Sequence, residues 1–169
     1  GIVHRDMKPD NIMLSVSGAK RTAKLLDLGI VKLQEILSEP SGTDHNVTHP
    51  GHFIGTPSYM SPEQWGTPQE DGGPDIDGRA DVYSFGVVMF EMLSGRQPFR
   101  GRSMSEIRRA HLIDPPPLLS ESDPAISRAF SETLARAMAK VRGERPATAG
   151  AFIAELRAAL EETERRVSP

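Results

Sequence analysis

Asp6, Lys8 and Asn11 stand within one stretch of eight residues, His4-Arg5-Asp6-Met7-Lys8-Pro9-Asp10-Asn11, and fifteen residues separate Asn11 from Asp27. Asn11 and Asp27 are hard oxygen donors of the kind that Mg²⁺ prefers. Asp6 sets a carboxylate two positions from the Lys8 ammonium. Taken singly, each is an ordinary turn or surface residue. Their order along the chain is what carries information.

For Asn11 and Asp27 to meet, the chain between them must double back. Residues 12–16 and 23–26 are short β-favouring runs on either side of Ser17-Gly18-Ala19-Lys20, which predicts a hairpin turning at Gly18. Residues 34–55 have no sustained period and predict a long loop, and residues 66–78 predict another. Residues 79–93 are apolar nearly all round, the pattern of a helix inside a core, with Gly95 and Pro98 to end it. Residues 105–112 predict a short helix stopped by Asp114-Pro115-Pro116-Pro117. Ile126, Phe130, Leu134 and Met138 recur every fourth residue, as do Phe152, Leu156 and Leu160 after an N-cap at Thr148. Met89, Met92 and Met138 fall at core-facing helical positions. The expected fold is mainly α with a short β-hairpin, ending in a charged tail that frays over residues 161–169.

Bulk properties remove several function classes. The 169 residues carry 20 Lys and Arg against 23 Asp and Glu, so the net charge is −3, with no basic excess to suggest a nucleic-acid partner. Cys is absent, which excludes disulfides, a thiolate nucleophile and Cys-ligated metal centres. No apolar run approaches the ~20 residues that span a bilayer. An intracellular, cytoplasmic setting is expected. His45, His49 and His52 lack metal-ligand spacing and are read as solvated. Arg96, Arg100, Arg102, Arg108 and Arg109 form a basic stretch, read as wet surface with acidic-substrate docking as the rival.

The eight-residue stretch matches H-R-D-x-K-P-x-N and resembles the catalytic loop of serine/threonine protein kinases. Asp27-Leu28-Gly29 resembles the family's D-F-G metal motif, with Leu replacing Phe. Residues 55–63, Gly-Thr-Pro-Ser-Tyr-Met-Ser-Pro-Glu, resemble the close of the activation segment, with Ser61 where the family has Ala. Residues 77–86 and 93–99 resemble the central buried helix and its exit, and Glu144-Arg145-Pro146 the late arginine motif. The wording is most similar to the eukaryotic-like kinases of bacteria.

That resemblance implies the C-terminal lobe of the kinase fold, with residues 1–160 a partial kinase domain and the ATP-gripping N-terminal lobe missing. It implies that Asp6 takes the proton of, or orients, a Ser or Thr hydroxyl of a protein substrate. Lys8 stands by the moving phosphoryl group of ATP, and Asn11 and Asp27 hold Mg²⁺ or Mn²⁺. Thr56 ties the substrate-positioning loop to Asp6 and Lys8, Glu63 and Arg145 form a buried ion pair, and Asp81 accepts backbone N–H groups under the catalytic loop. Arg5 is implied to pair with a phosphate on the activation loop, with Ser38, Ser41, Thr43 and Thr48 as acceptors and Thr48 favoured, through autophosphorylation in trans. Small-molecule phosphotransferases share an Asp-then-Asn loop but are not expected to carry Lys8, Thr56 and residues 61–63 together. The rival class is a pseudokinase or kinase-like scaffold, against which Asp6, Lys8, Asn11 and Asp27 all argue. The chain begins at Gly1 without the glycine-rich loop, strand lysine and hinge, so residues 1–169 alone are expected to be inactive and poorly stable. A membrane-anchored parent protein is common in the resembling family.

Overall fold

The computed structural model describes residues 2–26, 57–67 and 76–167, with side chains to residue 162. Asp27, Leu28, Ser38, Ser41, Thr43, His45, Thr48, His49, His52 and Thr56 lie outside the described residues.

β1 (Ile12–Ser17) and β2 (Lys20–Leu25) pair antiparallel in the register Ile12 to Leu25 through Ser17 to Lys20. Only two residues join them, and such a turn needs positive φ at its first position. Gly18 supplies it, at φ 60°. Met13, Leu14, Val16 and Leu25 remain exposed, and a lone two-stranded hairpin has little stability of its own.

The core is built around α1 (Gly78–Ser94). The Asp77 side chain caps its start by accepting from the Arg79 N–H, and left-handed Gly95, at φ 69°, ends it. Val82, Tyr83, Val87, Val88 and Phe90 are buried on several sides of this helix because other elements surround it. α3 (Arg128–Ala137) and α4 (Ala149–Val167) pack against it, and α2 (Met104–Ile113) lies on the short 3₁₀ turns Pro57–Tyr59 and Pro62–Trp65. Thr148 accepts from the Ala151 N–H at 3.0 Å to start α4. Among the described residues no helix is long and apolar enough to cross a membrane.

Two expectations are corrected. Met92 is 70% exposed, since the last turn of α1 runs past the edge of the core. Leu160 is 48% exposed and Ala159 takes the inner position. Four-residue steps turn 400° on a helix, so by the second step from Phe152 the inward face has passed to the preceding residue. α4 itself runs to Val167.

Gly101 is required where the chain enters α2. A Cβ there would lie 2.6 Å from the Ile107 backbone nitrogen and 2.8 Å from the Glu106 carbonyl carbon, and neither can swing aside. Gly101→Ala is expected to cost about 1–3 kcal/mol of stability, the usual range for overpacking. A chemical-denaturation midpoint indistinguishable from wild type would refute this.

Candidate active site

The loop of residues 4–11 is held from below by one carboxylate. Asp81, on the first turn of α1, accepts the His4 N–H through Oδ2 at 2.7 Å and the Arg5 N–H through Oδ1 at 2.8 Å. These bonds fix an unfavourable conformation, because Arg5 has φ 63°, a region costing a residue with a Cβ roughly 1–2 kcal/mol. Buried His4 adds a second tether, its Nε2 lying 3.2 Å from the Leu26 carbonyl at the end of the hairpin.

On this support three chemical groups converge. Lys8 Nζ lies 3.4 Å from Asp6 Oδ2. Asn11 Nδ2 donates to the same Oδ2 at 3.2 Å and to the Asp6 carbonyl at 2.8 Å. With its amide nitrogen so engaged, Asn11 has Oδ1 outside every described hydrogen bond, a hard oxygen suited to Mg²⁺. The Leu26 N–H donates to the Asn11 carbonyl at 2.8 Å, so the hairpin returns the chain beside Asn11 one residue before Asp27.

Glu63 and Arg145 meet as a two-pronged pair, Nη1 to Oε1 at 2.7 Å and Nη2 to Oε2 at 2.9 Å, with both side chains fully buried. Arg145 also donates to the carbonyls of Arg79, Ala139 and Lys140, which satisfies the remaining guanidinium N–H groups. Gln64, which sequence reasoning passed over, joins this segment to the catalytic loop. It accepts from the Ser61 N–H and hydroxyl and donates to the Arg5 carbonyl at 2.8 Å. The spacing Ser61-Pro62-Glu63-Gln64 is that of a capping box, a signal present in the sequence. Tyr59 was also missed. Its hydroxyl donates to Glu91 at 2.6 Å and its carbonyl accepts from Ser84 at 2.7 Å. Burial first, then the Glu91 carboxylate, push the Tyr59 hydroxyl up to about 12, so it stays a donor.

The chain matches the model of the protein kinase domain over residues 1–155. It belongs to the protein kinase family. Its relatives include the serine/threonine-protein kinases Pkn1 and pkn3 of Myxococcus xanthus. Pkn1 is 41% identical over 163 residues, covering 96% of this chain and 22% of that protein. The kinase pkn3 is 36% identical over 168 residues, covering 98% and 29%. Serine/threonine-protein kinase PknH of Mycobacterium bovis is 35% identical over 150 residues, covering 89% and 22%. The chain thus spans less than a third of the length of each of these kinases.

Beneath residues 57–65 lies a buried polar cluster that no motif announced. The Tyr83 hydroxyl lies 2.9 Å from His111 Nδ1, and Lys140 Nζ lies 3.1 Å from the Ala110 carbonyl and 3.6 Å from the Phe99 ring centre. Burial, then the Lys140 charge, drive His111 down to about 3. Burial likewise brings Lys140 down to about 7, with Asp114 opposing and Arg145 assisting. Between pH 6.5 and 3 the unfolded chain therefore binds a proton at His111 that the folded chain refuses, and stability falls as pH falls. Between pH 7 and 10.5 the unfolded chain keeps a proton that folded Lys140 has released, so stability rises with pH. Each slope approaches ~1.4 kcal/mol per pH unit at most. The Phe99 face and the Ala110 carbonyl favour the Lys140 cation and so narrow the pH range of the second slope from its lower end. Denaturation midpoints measured across pH should flatten on the acid side in His111→Gln and on the alkaline side in Lys140→Met. Unchanged slopes in both variants would refute the assignment.

Proposed function

We propose that this chain supplies the catalytic carboxylate, the phosphoryl-side cation and metal-holding oxygens for ATP-dependent phosphoryl transfer to Ser or Thr hydroxyls of proteins. The observation that supports this best is the convergence of Lys8 Nζ and Asn11 Nδ2 on Asp6 Oδ2, at 3.4 and 3.2 Å. The transition state of such a transfer is loose and anionic, so the protein's work is aiming and charge stabilisation. Asp6 orients the acceptor hydroxyl and takes its proton as the oxygen–phosphorus bond forms and the bond to the ADP oxygen breaks. Lys8 stands by the transferring group as a fixed positive charge. Asn11 and Asp27 would hold Mg²⁺, which when bound neutralises the phosphate oxygens.

The kinase-domain portion is residues 1–160 in this reading, equivalent to a C-terminal lobe, with residues 161–169 a charged appendage. An apolar groove of about 460 Å³ lies beside the loop of residues 4–11, bordered by Ile2, Met7, Ile12, Leu25 and Phe85. The reaction is placed in the cytoplasm, where ATP is available. Arg5 is assigned to an activation-loop phosphate, since its buried Nε has no partner among the described residues. Thr48 is the favoured acceptor, modified in trans, and Thr56 is assigned to hold Asp6 and Lys8 toward the substrate.

The deciding assay gives the full-length protein ATP, Mg²⁺ and a generic protein acceptor, followed by phosphoamino-acid analysis. Phosphoserine or phosphothreonine is the expected product. Tight ATP binding with no transfer to any acceptor would favour the scaffold reading instead.

A further inference from the structure

One peptide group sets the direction of Asp6, and it is held at both ends. The Asp6 N–H donates to His4 Nδ1 at 3.3 Å, and the Arg5 carbonyl accepts from Gln64 Nε2 at 2.8 Å. Arg5 itself stands at φ 63°, with its N–H on Asp81 Oδ1 at 2.8 Å. With its carbonyl released, this planar group is free to rotate about its flanking bonds, which changes ψ of Arg5 and φ of Asp6 together. The Asp6 side chain then turns away from Lys8 Nζ and Asn11 Nδ2. The Gln64 amide is fixed on its own side. Its Oε1 accepts from the Ser61 N–H at 3.0 Å and the Ser61 hydroxyl at 3.1 Å, so its nitrogen must face Arg5. Glu63, the preceding residue, is locked by its fork to Arg145.

We infer that Gln64 is a positioning residue for Asp6, carrying the fixed placement of the Glu63–Arg145 pair into the Arg5–Asp6 peptide. The inference rests on the kinase reading above and adds to it a residue outside the loop of residues 4–11 that sets the rate of transfer. The choice of amide at position 64 supports it. In a capping box Glu serves as well as Gln, since the N-cap N–H needs only an acceptor, and a carboxylate suits a helix start. Only the amide also donates. Gln64 uses both halves, its oxygen for the 3₁₀ turn Pro62–Trp65 and its nitrogen for Arg5. Gln64 and Arg5 are half-buried, so water replaces part of a lost bond, and the effect expected is about tenfold rather than a thousandfold.

The test compares wild type, Gln64→Glu and Gln64→Met in the full-length protein, with ATP, Mg²⁺ and a generic protein acceptor. Gln64→Glu keeps the acceptor for Ser61 and loses the donor to Arg5, whereas Gln64→Met is uncharged and loses both. In both variants kcat should fall about tenfold, while KM for ATP and for the acceptor stays within about twofold. The denaturation midpoint should hold at the wild-type value in Gln64→Glu and drop in Gln64→Met. In Gln64→Glu, hydrogen exchange read by mass spectrometry should quicken across residues 4–11 and stay unchanged across residues 78–94. Wild-type kcat in Gln64→Glu would leave Gln64 a capping role alone and overturn the inference. Wild-type kcat in Gln64→Met, a loss that falls on KM, or a slower kcat with unchanged exchange over residues 4–11 would each overturn it as well. Should the wild type transfer no phosphate, the kinase reading fails and exchange alone decides. Faster exchange over residues 4–11 in Gln64→Glu then upholds the tether, and wild-type exchange there overturns it.

Discussion

Arg145→Ala is expected to destabilise the domain by about 3–5 kcal/mol, the range for breaking one partner out of a buried ion pair. The cause is what remains. Glu63 would keep a carboxylate with a fully buried side chain and lose both of its guanidinium hydrogen bonds, at 2.7 and 2.9 Å. Three carbonyls, of Arg79, Ala139 and Lys140, would lose a donor in the same step. Typical domains have only about 5–15 kcal/mol in total, so the variant should show a large drop in denaturation midpoint or fail to accumulate. Arg145→Lys keeps the charge but offers a single ammonium in place of the fork, so it should recover only part of the loss. Adding Glu63→Ala to Arg145→Ala removes the stranded carboxylate. The double variant should therefore cost less than the two single costs added, by about 0.5–3 kcal/mol. Strict additivity would mean the two side chains do not act as a pair.

The hairpin was readable because two β-favouring runs and a glycine sit at hairpin spacing, and α1 because its run is apolar on all sides. Local pattern says which residues prefer burial, but it does not say where the surrounding core stops. Met92 therefore belongs to an apolar helix and still stands in solvent, and Leu160 loses the inner position to Ala159. Asp6, Lys8 and Asn11 were readable as a group because they share one short loop. Glu63 and Arg145, 82 positions apart, were linked by motif resemblance alone, since no periodicity connects them. The contacts of Tyr59 with Glu91, Gln64 with Arg5, and His111 with Tyr83 had no such guide. Each joins an ordinary polar residue to an element distant in sequence, and only tertiary packing brings the two together. Asp27, Thr48 and Thr56 fall outside the described residues, so their placement adds nothing to this comparison.

Asp6→Asn is expected to lower kcat for phosphoryl transfer by about 10²–10⁴-fold, the usual contribution of a positioned general base. The substitution keeps the side chain's shape. An amide oxygen can still accept from Asn11 Nδ2, now 3.2 Å from Oδ2, and the Asn11 bond to the Asp6 carbonyl is untouched. What disappears is the negative charge beside Lys8 Nζ and the capacity to take a proton. Support of the loop by Asp81 does not involve the Asp6 side chain, so melting behaviour should stay close to wild type. The loss should therefore fall on kcat while KM for ATP changes little, the signature of an interaction used in the transition state. Asp81→Ala should behave differently. It releases the His4 and Arg5 N–H groups together, so stability and activity should decline in parallel. If Asp6→Asn instead kept kcat within tenfold of wild type at normal stability, Asp6 would be no more than a structural partner of Asn11 and Lys8, and the proton would have to leave by another route.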